Sequence, residues 1–193
     1  MYYIVGLGNP GEEYLHTRHN VGFKALDALL SAFSIGEPVK SSKFVGRLGE
    51  GVVDGEEVVL LYPDTFMNKS GSAVQKLVPK AEINKLIVIY DDVHLPIGSV
   101  RISFGRGDGG HNGIKSIIDG LGSRDFVRVR IGVAEKSFWG GVKKPSGDKL
   151  AKFVLAKFKK REEETLTEVL DRTVEIVKVI IDSGVENAMN QFN

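Results

Sequence analysis

The chain has 193 residues, 42% of them hydrophobic, which is enough for one compact domain with a buried core. Cysteine is absent, so disulfides, a thiolate nucleophile and cysteine zinc sites are excluded. The net charge is only +1, but residues 98–161 hold 15 Lys and Arg against 5 Asp and Glu, whereas the rest holds 11 against 20. A basic segment in a neutral chain is typical of a protein with a polyanionic partner, although a solvated basic face gives the same pattern.

The first part of the chain predicts a strand, a loop, a helix and a hairpin. Residues 2–5 form a short apolar run that we interpret as the first strand of a folded protein, since it lacks the basic stretch and cleavage site of a signal peptide. A polar loop over 8–18 follows, and the apolar residues from Asn20 to Phe33 recur at helical spacing. Residues 44–62 alternate around Asp54-Gly55, which predicts a hairpin.

The remainder alternates between predicted strands and helices. The run from Lys85 to Tyr90 is apolar on both faces, which predicts a buried, central, parallel strand. The other predicted elements are a short helix at 73–78, a glycine-rich start to a helix at 109–121, a strand at 127–133, a mobile Gly/Pro/Lys-rich connection at 138–148 and a long amphipathic helix at 161–182. This order indicates an α/β fold, and no run approaches the roughly 18 apolar residues of a membrane span.

The sequence Gly6-Leu7-Gly8-Asn9-Pro10-Gly11 has the G-x-G-x-x-G spacing of dinucleotide-binding loops. In those loops the helix opens inside the motif, and its N–H groups bind a pyrophosphate. Here Pro10 removes one of the donors, and the polar loop continues to Arg18 before helical spacing begins. We therefore expect no nicotinamide or flavin cofactor.

Several polar side chains lie in the predicted loops and beside the buried strand. His19 precedes the first predicted helix, Asp91 follows the strand that ends at Tyr90, and His111 lies in a Gly-Gly-His-Asn-Gly block. Singly, each of these residues also fits an ordinary surface or capping position. Together, at the carboxyl ends of parallel strands, they predict an imidazole base that takes a proton from water while a carboxylate orients it.

A metal site is the alternative chemistry for the same residues. The side chains that are ligands by type are those of His19, Asp91, Asp92, His94 and His111. None of them has a spacing diagnostic of zinc, such as H-E-x-x-H, so no metal is expected. A histidine base without a protein nucleophile is better matched to an activated ester than to an amide.

Several blocks in order resemble the bacterial peptidyl-tRNA hydrolase family. They are Gly6-Leu7-Gly8-Asn9-Pro10-Gly11 with Tyr14 and Thr17-Arg18-His19-Asn20-Val21-Gly22-Phe23, then Thr65-Phe66-Met67-Asn68-Lys69-Ser70-Gly71, then the DDVHLPIG run at 91–98 and Gly109-Gly110-His111-Asn112-Gly113. Residues 128–132 and 153–158 resemble later landmarks of the family, and the similarity spans residues 2 to 185. Independent blocks in the right order are far more specific than any one motif.

The resemblance implies a fold and an activity. The fold is a single α/β domain over residues 1–193, with a mixed twisted sheet flanked by helices in three layers, α/β/α. The activity is hydrolysis of the ester that links a peptide, or an N-blocked amino acid, to tRNA, which recycles tRNA from prematurely released peptidyl-tRNA. Family members generally work as monomers without metal. We therefore expect a cytoplasmic monomer with peptidyl-tRNA as its partner, no cofactor and no protein partner.

The resemblance also implies roles for individual residues. His19 matches the general base, Asp91 rather than Asp92 matches the carboxylate that orients it, and Asn9 matches the residue that separates blocked from free aminoacyl-tRNA. The residues implied in the substrate crevice are Tyr14, Phe66, Met67, Asn68, His111 and Asn112. The candidate contacts with tRNA phosphates are Arg101, Arg128, Arg130, Lys143, Lys144, Lys157, Lys159 and Lys160, of which Arg130 is the best match.

The sequence departs from the family pattern near the basic segment. His94 stands where the family commonly has an aspartate, and Ser103 takes the place of a phosphate-binding lysine, with Arg101 nearby as a substitute. Residues 105–108 replace a more glycine-rich run, and residues 133–136 replace an Arg-Pro-Gly-like turn. An RNA-binding protein of the same fold without catalysis is a second alternative, because plastid relatives serve in RNA splicing. A pure binder, however, needs no base and carboxylate pair.

Overall fold

The protein alternates strands with helices along most of its length, as the sequence predicted. A computed structural model describes residues 1–136, 142–143, 145 and 147–193, so the connection predicted as mobile at 138–148 lies largely outside the described residues. The strands are β1 (Tyr2–Gly6), β2 (Val39–Ser41), β3 (Gly46–Val53), β4 (Glu56–Pro63), β5 (Leu86–Pro96), β6 (Val100–Phe104), β7 (Val127–Lys136) and β8 (Val142–Lys143). The helices are α1 (Val21–Ala32), α2 (Gly71–Leu77), α3 (Asn112–Leu121), α4 (Asp148–Val154), α5 (Lys160–Ser183) and α6 (Val185–Phe192). Within the described ranges, no helix is both long enough and apolar enough to cross a membrane.

The strands form one mixed sheet. Among the described residues it has eight strands in the order β2-β3-β4-β1-β5-β7-β6, with β8 paired to β7. The central strands β4, β1, β5 and β7 are parallel, whereas β2, β3, β6 and β8 pair antiparallel at the two sides. The central, parallel position predicted for β5 is confirmed. The strand is longer than predicted, because Asp91 and Asp92 continue its pairing with β7 before the register shifts.

Helices cover both faces of the sheet. On one face α1, α5 and α6 pack against a row of strand residues that includes Ile4, Leu60 and Ile87. On the other face α2 and α3 pack against the alternate residues, among them Val5 and Val88. Successive strand residues point to opposite faces, so the inner strands β1, β4 and β5 supply both layers of the core. The α/β/α layering implied by the resemblance is confirmed.

The carboxyl ends of the parallel strands meet at one edge of the sheet, where α1 also begins. Gly22, in the first turn of α1, packs directly on the strands: an added Cβ would lie 2.4 Å from the Leu7 nitrogen and 2.5 Å from the Ile89 oxygen. Only a residue without a side chain allows this approach. The close contact brings the residues just before α1 to the end of β5.

Candidate active site

His19 and Asp91 lie within hydrogen-bond distance at this edge of the sheet. His19 belongs to a single turn of 3-10 helix, Arg18–Asn20, immediately before α1. Its Nδ1 atom is 2.7 Å from Oδ1 of Asp91, the proximity that a base and carboxylate pair requires. The Asp91 side chain is 1% exposed and that of His19 is 12% exposed. The carboxylate is therefore shielded from solvent, while the imidazole lines a cavity.

A second imidazole contacts the same carboxylate oxygen. Nε2 of His111 is 3.0 Å from Oδ1 of Asp91, and Nδ1 of His111 accepts the Ile114 N–H at 3.3 Å, capping α3. Because Nδ1 accepts, the neutral His111 ring carries its proton on Nε2 and donates it to Asp91. The other oxygen of Asp91, Oδ2, is buried without a hydrogen-bond partner among the described residues.

Asp91 sets the charge and the tautomer of His19. Burial lowers the pKa of His19, but the charge of Asp91 and its hydrogen bond outweigh burial and raise that pKa above the ordinary 6.5. Burial likewise raises the pKa of Asp91, but the interactions with His19 and His111 outweigh it and lower that pKa. An ionised Asp91 accepts the Nδ1–H of His19, so the Nε2 lone pair of the neutral ring can take a proton.

Asn9 is held at three points that leave one donor available. Its backbone N–H and carbonyl pair with the side-chain amide of Asn20, both at 2.9 Å. Its Oδ1 atom accepts the Met67 N–H at 2.8 Å. Within the described part of the chain, Nδ2 of Asn9 has no protein partner, and the residue lines the cavity. The side chain therefore offers an N–H donor to a ligand.

The cavity is open and has a volume of about 1200 Å³. The loop after β4 contributes Phe66, Met67 and Asn68 to its wall, and the start of α3 contributes Asn112. Tyr14 does not line the cavity but packs edge-to-face on Phe66, with ring centroids 6.4 Å apart. The crevice residues implied by the resemblance thus lie together. The volume exceeds the roughly 300–1,000 Å³ of ordinary small-molecule pockets, which suits a long ligand.

The predicted phosphate contacts differ in how they are presented. Arg101 and Arg130 are paired neighbours on β6 and β7, and both line the cavity. Arg101 is exposed, whereas Arg130 is half-buried with its Nε 2.7 Å from Oδ2 of Asp92. Four of the lysines predicted as phosphate contacts are exposed, namely Lys143, Lys157, Lys159 and Lys160. Lys159 forms an ion pair with Glu135. Lys144 lies outside the described residues.

The phosphate contact predicted for Arg128 is wrong. This side chain is 1% exposed, and its guanidinium donates hydrogen bonds to the backbone carbonyls of Arg106 and Gly107. Burial accordingly lowers the pKa of Arg128. Arg128 therefore anchors the glycine-rich loop that leads to His111, and its guanidinium is committed to backbone carbonyls.

The neighbouring carboxylate, Asp92, holds a different set of groups. Its Oδ1 accepts the His94 N–H at 2.7 Å and lies 3.1 Å from the His94 ring nitrogen Nδ1. Its Oδ2 binds Arg130. His94, which also belongs to β5, therefore contacts Asp92 and not the carboxylate that holds His19.

Of the five residues considered as metal ligands, three lie close enough together in the described part of the chain to bind one ion. His19, Asp91 and His111 each place a ligand atom within 4.8 Å of the others, and Asp92 and His94 are not part of this group. Both imidazoles direct a nitrogen at one Asp91 oxygen, as hydrogen-bond donors do. The same three groups could also ligate a metal ion, so a chelation experiment is what separates the two chemistries.

Sequence reasoning missed the residues that support the site and part of its wall. Asn20 clamps the backbone of Asn9, and its place beside His19 in the polar loop was the available signal. Part of the cavity wall comes from α4 and the residue after it, which sequence spacing did not predict. These lining residues are Leu150, Ala151, Val154 and Leu155.

Comparisons with known proteins agree on one family. Residues 3–193 match the family model described as peptidyl-tRNA hydrolase. A peptidyl-tRNA hydrolase of Clostridium tetani is 44% identical over 195 residues, covering 100% of this chain and 97% of that protein. One of Thermoanaerobacter sp. is 45% identical, covering 100% of each. The crystal structure of peptidyl-tRNA hydrolase from Acinetobacter baumannii matches with a TM-score of 0.88 at 33% identity, over 100% of this chain and 94% of that chain.

Proposed function

This chain belongs to the peptidyl-tRNA hydrolase family, and on that premise we propose that it hydrolyses the ester bond between a peptide, or an N-blocked amino acid, and tRNA. His19 is the general base and Asp91 is the carboxylate that orients it. The observation that carries this assignment is the 2.7 Å contact between Nδ1 of His19 and Oδ1 of Asp91. It makes Nε2 the basic nitrogen of a residue that lines the cavity.

The reaction needs no protein nucleophile. Nε2 of neutral His19 takes a proton from water while the water oxygen attacks the ester carbonyl carbon. Asp91 stabilises the imidazolium as it forms and keeps the ring in the productive tautomer. When the tetrahedral intermediate breaks down, the bond to the ribose oxygen breaks and that oxygen receives the proton from His19. The products are a peptide carboxylic acid and a free tRNA.

The amide side chains hold the two ends of the substrate. Nδ2 of Asn9 donates to a carbonyl oxygen of the peptide, next to the scissile ester. A free aminoacyl-tRNA presents an ammonium group there, which has only donors and leaves Nδ2 unpaired. Asn68 and Asn112, both exposed in the cavity, bind the peptide and the terminal end of the tRNA.

The remaining features concern the tRNA body and the state of the protein. Arg101 and Arg130, which line the cavity, contact tRNA phosphates, which accounts for the basic segment. We propose that the chain acts as a single-domain monomer in the cytoplasm, where translation produces its substrate, without a protein partner.

The test is hydrolysis of N-acetyl-aminoacyl-tRNA beside the unblocked aminoacyl-tRNA, with a chelator present. His19→Ala is compared with the wild type and with His16→Ala, which removes an exposed histidine of the same loop. Wild type and His16→Ala are expected to cleave only the blocked substrate, and His19→Ala to lose at least about 100-fold in rate. Binding of tRNA without release would identify an RNA-binding relative. Loss of wild-type activity on chelation would identify a metal enzyme.

A further inference from the structure

Arg18, the neighbour of His19, is a buried cation. Its side chain is 3% exposed, and Nη2 lies 2.8 Å from Oε2 of Glu162, whose side chain is 6% exposed. Both members of this ion pair are out of water, a cost that a pair of apolar side chains would not carry. Nε of Arg18 is also buried without a hydrogen-bond partner among the described residues. The burial of both charges and the unpartnered Nε therefore raise the question of what the geometry of this contact is for.

The backbone and the side chain of Arg18 bind the same short segment. The Arg18 N–H donates to the Ala156 carbonyl at 3.0 Å, and Thr17 forms an isolated antiparallel bridge with Lys157. Nη1 of Arg18 donates to the carbonyls of Ala156 at 3.2 Å and Lys157 at 2.6 Å. The turn that carries His19 is therefore bound to the segment between α4 and α5 by several hydrogen bonds.

Aromatic rings and a helix cap complete the contact. The Arg18 guanidinium carbon lies 4.7 Å from the centre of the Phe153 ring and 5.3 Å from that of Phe158. Glu162 also accepts the Lys159 N–H at 2.6 Å, so the same carboxylate fixes the start of α5. A planar guanidinium suits this environment, because it stacks on aromatic rings and donates in several directions at once.

This contact joins the proposed base to a wall of the cavity. Residues of α4 and Leu155 line the cavity, and Arg18 binds the carbonyls of the next two residues, Ala156 and Lys157. We propose that Arg18, together with Glu162, is a positioning residue that fixes the His19 turn against the segment between α4 and α5 and so holds the imidazole at Asp91. This inference rests on the proposed function of His19.

The test removes the ion pair without leaving a lone buried charge. The double variant Arg18→Met/Glu162→Gln replaces both charges with neutral side chains of similar length, and the glutamine can still accept the Lys159 N–H. Arg172→Met is the matched control. Arg172 also lies over an aromatic ring, 5.9 Å from that of Phe192, and donates to the Phe192 carbonyl at 3.2 Å, but it does not line the cavity.

The readouts are kcat and KM for N-acetyl-aminoacyl-tRNA between pH 5 and 9. In the double variant we expect KM to stay within about twofold and kcat to fall at least about tenfold, because a small misplacement of a reacting group slows the chemical step. The midpoint of the acid limb of kcat should move to lower pH, because a looser contact with Asp91 raises the His19 pKa less. The Arg172→Met control should keep the wild-type kcat and midpoint. The single variant Arg18→Lys, which keeps the positive charge, should have a kcat between those of the double variant and the wild type.

A purely structural role would give a different result. In that case kcat would fall only in proportion to the folded fraction measured by circular dichroism, with the acid limb unmoved, and the proposal would be overturned. A readout independent of activity is the downfield NMR signal of the His19 Nδ1 proton. We expect it in the wild type and in Arg172→Met, and its loss in the double variant. Retention of that signal in the double variant would overturn the positioning role even if the wild type hydrolysed no ester.

Discussion

Two adjacent carboxylates in β5 serve different partners. Asp91 accepts hydrogen bonds from His19 and His111, whereas Asp92 binds Arg130 and His94. Successive side chains of a strand point to opposite faces, so a shift of one residue would exchange these roles. The dipeptide itself gives no means of choosing between them. The resemblance selected Asp91, and the contact between His19 and Asp91 agrees with that choice.

The Asn9 side chain has a structural acceptor, Oδ1, and a proposed donor to the substrate, Nδ2. The substitution Asn9→Asp tests the donor separately from the acceptor. An aspartate keeps the oxygen that accepts the Met67 N–H and loses the Nδ2 donor. We expect the melting temperature to change little and kcat/KM for N-acetyl-aminoacyl-tRNA to fall by about 10- to 100-fold, because losing the hydrogen bond to the peptide carbonyl costs about 1–3 kcal/mol. Asn9→Ala, which removes both functions, should lower the melting temperature as well. A kcat/KM of Asn9→Asp equal to that of the wild type would contradict the role of Nδ2.

At the scale of elements, the position of α1 decides whether His19 reaches Asp91. Gly22→Ala would place a methyl group 2.4 Å from the Leu7 nitrogen, so α1 must move away from the sheet. We expect a loss of about 1–3 kcal/mol in the free energy of unfolding, as for other overpacked sites, together with a fall in kcat. Urea unfolding measures the first quantity. Gly36→Ala is the control, because an added Cβ at Gly36 has no atom within 4 Å. Equal stability of the two variants would contradict the close packing of α1.

The elements that the sequence predicted are those with a strong local pattern. The hairpin of β3 and β4 turns at Asp54 and Gly55, which have positive φ values of 50° and 86°, as that turn sequence favours. The apolar run of β5 and the helical spacing of α1 are equally local signals. The predicted strand ended too early, at Tyr90. Asp91 and Asp92 are polar, but they continue the buried strand because partners distant in sequence stabilise them.

The elements that were missed depend on tertiary contacts. Among the described residues, β6 is an edge strand of five residues that pairs with β7 alone, and its exposed side chains include Arg101 and Phe104. α4 and α6, with seven and eight residues, are too short for helical spacing to be distinctive. Within the site, the sequence did not predict the ion pair of Arg18, since its partner Glu162 is 144 residues away in the chain. Sequence patterns identify chemical groups, but they do not show which distant residues hold those groups in place.

At the scale of the whole molecule, charge is separated in a way that suits a polyanionic substrate. The basic segment supplies Arg101 and Arg130 to the cavity that His19 and Asp91 also line. If these arginines contact phosphates, each substitution by alanine should weaken tRNA binding and reduce the slope of log K against log salt by about 0.7–0.9. Filter binding at several salt concentrations measures the slope. Lys178→Ala, a cation of α5 that pairs with Asp54, should leave it unchanged. Slopes equal to that of the wild type in the arginine variants would place the phosphate contacts elsewhere.

If Asp91 orients His19 as the base for ester hydrolysis, replacing this carboxylate must change the pH dependence of kcat, which is measured for the wild type and Asp91→Asn. Because Asp91 raises the His19 pKa, the wild-type rate should fall as the pH drops through a value above 6.5. In Asp91→Asn only burial remains, so the midpoint should move below that value, and the plateau rate should fall by about 10²–10⁴-fold because the tautomer is no longer fixed. A midpoint and plateau that stay unchanged in Asp91→Asn would contradict the account.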